Sequence, residues 1–290
     1  MNKKTEYHCM LFYAACLLYL MLGIALPWSA ASEAAGIIIA PIPISSCSET
    51  ALNQLLAKLA EQRADFPTRI SAIAAAYIGA PYVHHPLRDE TSDWFPYRTV
   101  DCTMFVLCVT ALANSRLIAE ARQHMRLLHY RDGIVDFNHR YHFTADRITD
   151  PANRYFNAIT ERCVCDPSVL QRITCTLNRT KDGGYFFGKR LGSWSKTVTL
   201  AYLPRHGFHP SMLCRLPRVC GIAFIKKASV QQGVLISHEG LLIDNDLYHA
   251  SPEKGVCIEN GYLERIYPTT AWDGCVFFSI NEVPLLRHEQ

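Results

Sequence analysis

The sequence predicts an α+β fold, with helices in the first half of the chain packed on a mainly antiparallel β-sheet built by the second half. Two observations carry this. Apolar residues recur at helical spacing up to His129, whereas short β-branched and aromatic runs bounded by turn residues dominate from Lys196 onward. The bulk composition agrees: 290 residues, 49% hydrophobic and 19% charged, suffice to bury one sizeable core.

Taken in order, Lys3 and Lys4 precede an uncharged apolar run from Cys9 to Leu26, followed by Pro27-Trp28-Ser29-Ala30-Ala31. This pattern predicts an export signal over residues 1–31, cleaved after Ala31, and a periplasmic or secreted location; left uncleaved, the run is the chain's one route to a membrane. Residues 32–65 read as an extended lead-in and a first helix, with Ser46 and Glu49 as a capping box and Leu52, Leu55, Leu56 and Leu59 as its stripe. From residue 66 to 290 a single domain follows. A helix from Thr68 to about Ile78 delivers Pro81-Tyr82, and the Pro- and aromatic-rich stretch from His84 to Val100 reads as a loop. Asp101 is placed to cap a buried helix through Asn114, and Ser115 to cap an amphipathic one ending near His129. Strands are expected over Thr197–Leu203, Ile222–Ile225, Val234–Ile243, Leu247–Ala250 and Val276–Ile280.

Cys102 would then lie in a first helical turn, where free backbone N–H groups and the helix dipole favour an anion, as a nucleophilic thiol requires. His238 falls in an apolar strand, and His249, eleven residues on, falls in the strand that returns beside it. Side by side, His238 is fitted to take the thiol proton and His249 to fix its ring. Each residue has an ordinary reading when taken singly: a buried helix cysteine, a satisfied core histidine, a packing tyrosine at Tyr82. The ordered set is what specifies a site. Glu239 reads equally well as a tuner of His238 or as a strand residue facing away, and Arg131-Asp132 as a solvated pair or a turn salt bridge.

The segments Ile78-Gly79-Ala80-Pro81-Tyr82-Val83, Asp101-Cys102-Thr103-Met104-Phe105-Val106, Ile236-Ser237-His238-Glu239-Gly240 and Leu247-Tyr248-His249-Ala250-Ser251 resemble the motifs of the NlpC-type, papain-like bacterial cell-wall cysteine hydrolases. Leu127 to Ile148 and Val198 to Arg205 resemble their N-acetylmuramoyl-L-alanine amidase-like branch. The resemblance implies a papain-like fold and hydrolysis of the amide between N-acetylmuramic acid and L-alanine, in peptidoglycan or its released muropeptides. It implies Cys102 as nucleophile, His238 as base, His249 as orienting residue and Tyr82 facing the thiolate, with Arg140, His142 and Asp146 as substrate contacts. No cofactor is implied. The chain departs from the branch at Gly221-Ile222, where Gly-Asp is usual, and at Arg147, where tryptophan usually follows the aspartate. Two other readings stand beside it: an endopeptidase cleaving between D-glutamate and diaminopimelate, and a catalytically silent binding or host-directed protein on the same fold.

A net charge of +3, without a basic cluster interleaved with aromatics, argues against a nucleic-acid partner. Cys163-x-Cys165 and His206-x-x-His209 lack a second ligand pair at zinc spacing, so no metal is expected. Twelve cysteines fit an oxidising compartment. With Cys9 and Cys16 removed in the signal, Cys102 kept reduced and Cys108 buried as a free thiol, the other eight would permit four disulfides of open connectivity.

Overall fold

The computed structural model describes residues 43–84 and 94–285. The predicted signal, most of the lead-in and residues 85–93 of the predicted loop lie outside them. Helix α1 (Glu49–Glu61) is capped by Ser48, whose side chain accepts from Ala51 N, rather than by the expected Ser46, which closes a short 3-10 turn. Helix α2 (Phe66–Ala76) starts at Asp65, whose carboxylate accepts from Thr68 N at 2.9 Å. Helix α3 (Cys102–Ala113) is capped by Asp101, with Oδ1 accepting from Met104 N at 2.7 Å. Every residue from Met104 to Ala113 is buried, as expected of a helix apolar on all sides and packed between α2, helix α4 (Ile118–His129) and the sheet. The expected cap of α4 differs. Ser115 turns its hydroxyl back to Ala111 O at 2.7 Å, and α4 begins without a side-chain cap.

Short helices α5 (Thr144–Thr149) and α6 (Thr160–Cys163) lead into the sheet. Its strands are β1 (Phe156–Ala158), β2 (Gln171–Leu177), β3 (Lys196–Pro204), β4 (Val219–Ile225), β5 (Ile236–Ile243), β6 (Asp246–Ser251), β7 (Gly255–Glu259) and β8 (Gly274–Ile280). They pair antiparallel in the order β2-β3-β8-β4-β5-β6-β7, and β1 also pairs with β8. The α+β architecture with an antiparallel sheet is therefore as predicted. A cluster of Ile222, Phe224, Leu242, Leu247, Tyr262, Tyr267 and Phe277 fills one core beneath it.

Two glycines fix the places of Tyr82 and His249. Gly255 opens β7 at φ +70°, and a Cβ there would meet Ala80 O at 2.4 Å. That close approach lets Gly79 N and Ala80 O pair with Val256, which pins the turn before Tyr82 to the sheet. Gly240, on β5, leaves room for Tyr248 O and the Cβ of His249, which a side chain would meet at 2.7 and 3.0 Å. Gly240→Ala is expected to cost about 1–3 kcal/mol and to push His249 from its partner. A chemical melt on the variant checks the first effect; an unchanged midpoint would contradict it.

All ten described cysteines are free thiols, so the four disulfides permitted by the sequence are not formed here. Cys163, Cys220 and Cys275 belong to the core cluster, and Cys108 is buried in α3 as predicted. Among the described residues no helix is long and apolar enough to cross a membrane.

Candidate active site

The turn after α2 runs parallel to the segment before α3. Val83 N donates to Val100 O, and Val100 N to Pro81 O, at 3.1 and 3.2 Å. This pairing brings the Tyr82 hydroxyl close enough to Cys102 for the charges of Cys102 and Asp101 to add to burial in raising its pKa to about 12. Cys102 itself sits at the first position of α3. Against the sequence expectation of an acidic thiol, burial pushes it up to about 12, with the charges of Glu239 and Asp101 adding to the rise; the Glu239 backbone N–H and the neighbouring Thr103 pull the other way. The helix terminus alone does not offset desolvation and two carboxylates.

Glu239 is the residue after His238 on β5, so the strand that carries the histidine passes beside Cys102. Nε2 of His238 lies 2.8 Å from Nδ1 of His249. The His238 ring also runs nearly parallel to Trp272 (5.9 Å, 8°) and Phe224 (5.8 Å, 16°), which fixes its plane. Burial holds it neutral, with a pKa lowered to about 3. Because Nε2 is taken by His249, Nδ1 is the nitrogen left to accept a proton. A base in that tautomer carries hydrogen on Nε2 and donates to His249, whose own hydrogen then sits on Nε2. That second nitrogen faces Cys257 Sγ at 3.4 Å and Glu259 Oε1 at 3.7 Å, both on β7. Sequence reading missed these two residues. The period-two register of β6 against β7, which sets Cys257 opposite His249, was the signal available.

The structure sets Tyr82 beside Cys102 and His238 against His249, with Glu239 on the His238 strand reaching Cys102 and Thr103, and it places the other three candidates on α5 and the segment leading into it. The Arg140 guanidinium lies over the Trp94 ring at 5.9 Å. His142 Nε2 is 2.7 Å from Phe137 O, and its ring packs on Phe137 and Phe187. Asp146 is fully buried, with one oxygen paired to Arg131 and the other 2.8 Å from Lys196 Nζ. Arg131 thus pairs with Asp146, neither solvated nor bridged to Asp132 as the two ordinary readings expect, and Asp132 takes a left-handed φ of 57°. Glu239, left open by the sequence, faces inward. It is buried and receives hydrogen bonds from Thr103 Oγ1, Thr144 Oγ1 and Arg147 Nη2.

Burial lowers the pKa of several histidines, His129 and His249 among them; for three of these it reaches about 3 at His238 and about 4 at His124 and His142. Each folded-state pKa lies below the unfolded value of about 6.5. The stability this represents is complete above pH 6.5 and is lost as pH falls toward the folded values. By pH 5 each group is expected to cost about 2 kcal/mol. Thermal midpoints at pH 7.5 and 5 check this, and equal midpoints would refute it.

A thiol at a helix start, a neutral imidazole on an adjoining strand and a second imidazole bonded to the first can perform acyl transfer. Comparisons with known proteins place the fold. A protein from Legionella pneumophila superposes with a TM-score of 0.62 at 17% identity, covering 84% of this chain and 98% of that one. An N-acetylmuramoyl-L-alanine amidase from Bacteroides uniformis superposes with a TM-score of 0.57 at 19% identity, covering 74% of this chain and 99% of its own. No curated protein matches. The model of the AmiA-like family, described as N-acetylmuramoyl-L-alanine amidase-like, matches residues 72–261, a span that holds every candidate residue above, and the chain belongs to that family.

Proposed function

We propose that this chain is an exported cysteine amidase of papain-like, NlpC-type arrangement that hydrolyses the N-acetylmuramoyl-L-alanine bond of peptidoglycan or its released muropeptides. The 2.8 Å contact between His238 Nε2 and His249 Nδ1, the first on a strand against which the helix opened by Cys102 packs, carries the reading. Family membership narrows the bond, because an amidase-like family implies a peptidoglycan-derived substrate.

In this reading the Cys102 thiol gives its proton to Nδ1 of His238 as the sulfur attacks the lactyl carbonyl of the muramoyl group. The tetrahedral oxyanion meets the free N–H groups of the first turn of α3 and the Tyr82 hydroxyl. Collapse breaks the C–N bond, and His238 returns its proton to the departing amine of L-alanine. Water, deprotonated by His238, then cleaves the muramoyl thioester and restores the thiol. Both groups begin neutral, so the proton moves with the attack and not before it. Arg140 and His142 serve as substrate contacts, and Asp146 acts by holding Arg131 and Lys196 in place. The segment 1–31 directs export.

The test is mass spectrometry of products from defined muropeptides. Free peptides beginning with L-alanine, together with a sugar bearing a lactyl carboxylate, are expected. Cuts confined to the stem peptide would overturn the amidase in favour of the endopeptidase. Absence of any product, with Cys102 unreactive toward thiol-directed electrophiles, would favour the silent binding protein.

A further inference from the structure

The proposed chemistry uses Cys102, His238 and His249 but not the ion pair buried directly behind them. Glu239 and Arg147 are 1% and 0% exposed, and Oε2 lies 2.6 Å from Nη2. The other Glu239 oxygen accepts from Thr103 and from Thr144, each at 2.7 Å. Thr103 follows Cys102 on α3, Glu239 follows His238 on β5, and Thr144 and Arg147 belong to α5. One carboxylate therefore joins the nucleophile helix, the base strand and a third element.

As a device for stability alone the pair is a poor choice. Desolvating two charges commonly costs as much as their attraction returns, and packed apolar side chains would join the elements at least as well. Its position supplies a reason. The backbone N–H of Glu239 meets the Cys102 sulfur, and its carboxylate holds the hydroxyl of the next residue, Thr103. Any thiolate at Cys102 forms beside that negative charge, which opposes it. The Arg147 cation on the far side of the carboxylate cancels part of that opposition.

We infer that Arg147, acting through Glu239, is a positioning residue of the nucleophile: its charge neutralises the carboxylate behind Cys102, while the carboxylate fixes Thr103 and with it the first turn of α3. The inference rests on Cys102 being the reactive group of the proposed function, but it concerns the acidity of one thiol and is tested without substrate. The other titratable groups that interact with Cys102 are Asp101 at the helix cap and Tyr82 across the turn. Arg147 faces Glu239, His129 and the Phe156 ring. Apart from Glu239 and Arg147 themselves, none of these groups changes in the test variants.

The experiment measures the rate at which iodoacetamide alkylates Cys102 at pH 8, read from the Cys102 peptide by mass spectrometry in the full chain. Glu239→Gln keeps partners for both threonines and deletes the charge, so alkylation is expected to quicken about tenfold. The double variant Arg147→Met with Glu239→Gln also loses the cation and is expected to fall between Glu239→Gln and the unmodified chain. Arg147→Met alone, which strands the carboxylate, is expected to be slowest. If it does not fold, the first two variants decide. A Glu239→Gln rate no faster than the unmodified chain, or a double variant as fast as Glu239→Gln, overturns the inference, because a merely structural pair would not order the rates by charge. Muropeptides left uncut while this order holds would refute the proposed function and leave the inference standing. Cut muropeptides without the order would do the reverse.

Discussion

Replacing Cys102 by alanine is expected to remove amidase turnover by at least about 10⁴-fold while leaving the fold in place. The first half follows from the covalent route, which has no nucleophile without the sulfur; the remaining donors can still bind substrate but form no thioester. The second half follows from position. Cys102 is the first residue of α3, and the bond that starts this helix runs from Met104 N to the Asp101 carboxylate, not through the thiol. Alanine is also a better helix former than cysteine, so stability is expected to stay within about 1 kcal/mol. Release of L-alanyl peptides and a thermal melt check the two halves separately. A variant that kept more than about a hundredth of the activity would place the nucleophile elsewhere.

The catalytic candidates were legible because each is announced locally. Asp101 is a capping residue before a uniformly apolar run, and that alone places Cys102 at a helix start. His238 and His249 lie on either side of Asp244-Asn245, two residues with positive φ, so a tight turn folds one strand back on the other. What escaped the sequence is non-local. Glu239 has the alternation of a strand residue, and only the arrival of α5 from about ninety positions upstream shows that it faces Thr144 and Arg147. Arg147 stood out in the sequence as a departure with no partner. Strand β2 was missed because Gln171, Arg172 and Thr174 keep it half exposed, so it lacks the apolar run that announced β4 and β5. The thiol's acidity was misjudged for a related reason. The helix terminus is visible in sequence, whereas the burial and the neighbouring carboxylate that outweigh it are properties of the assembled site.

The two histidines are expected to differ in weight. His238→Ala deletes the proton acceptor, a loss of about 10³- to 10⁴-fold. His249→Ala deletes the partner of Nε2 but leaves the His238 ring lying parallel to Trp272 and Phe224, so its plane survives while its tautomer is released to water. A loss of about 10- to 100-fold is expected there, the scale of a modest misplacement of reacting groups. Steady-state rates on one muropeptide, with each variant's melt as control, measure the contrast. Reversed severity would have a specific meaning, because His249 has a thiol of its own: Cys257 Sγ stands 3.4 Å from its Nε2. That pair would then be the reactive one, and Cys257→Ala rather than Cys102→Ala would silence the chain. Physical grounds favour Cys102. Cys257 lies in a β-strand, where its neighbours' N–H groups are engaged in the ladder with β6, while Cys102 opens a helix whose free N–H groups and facing tyrosine provide for an oxyanion.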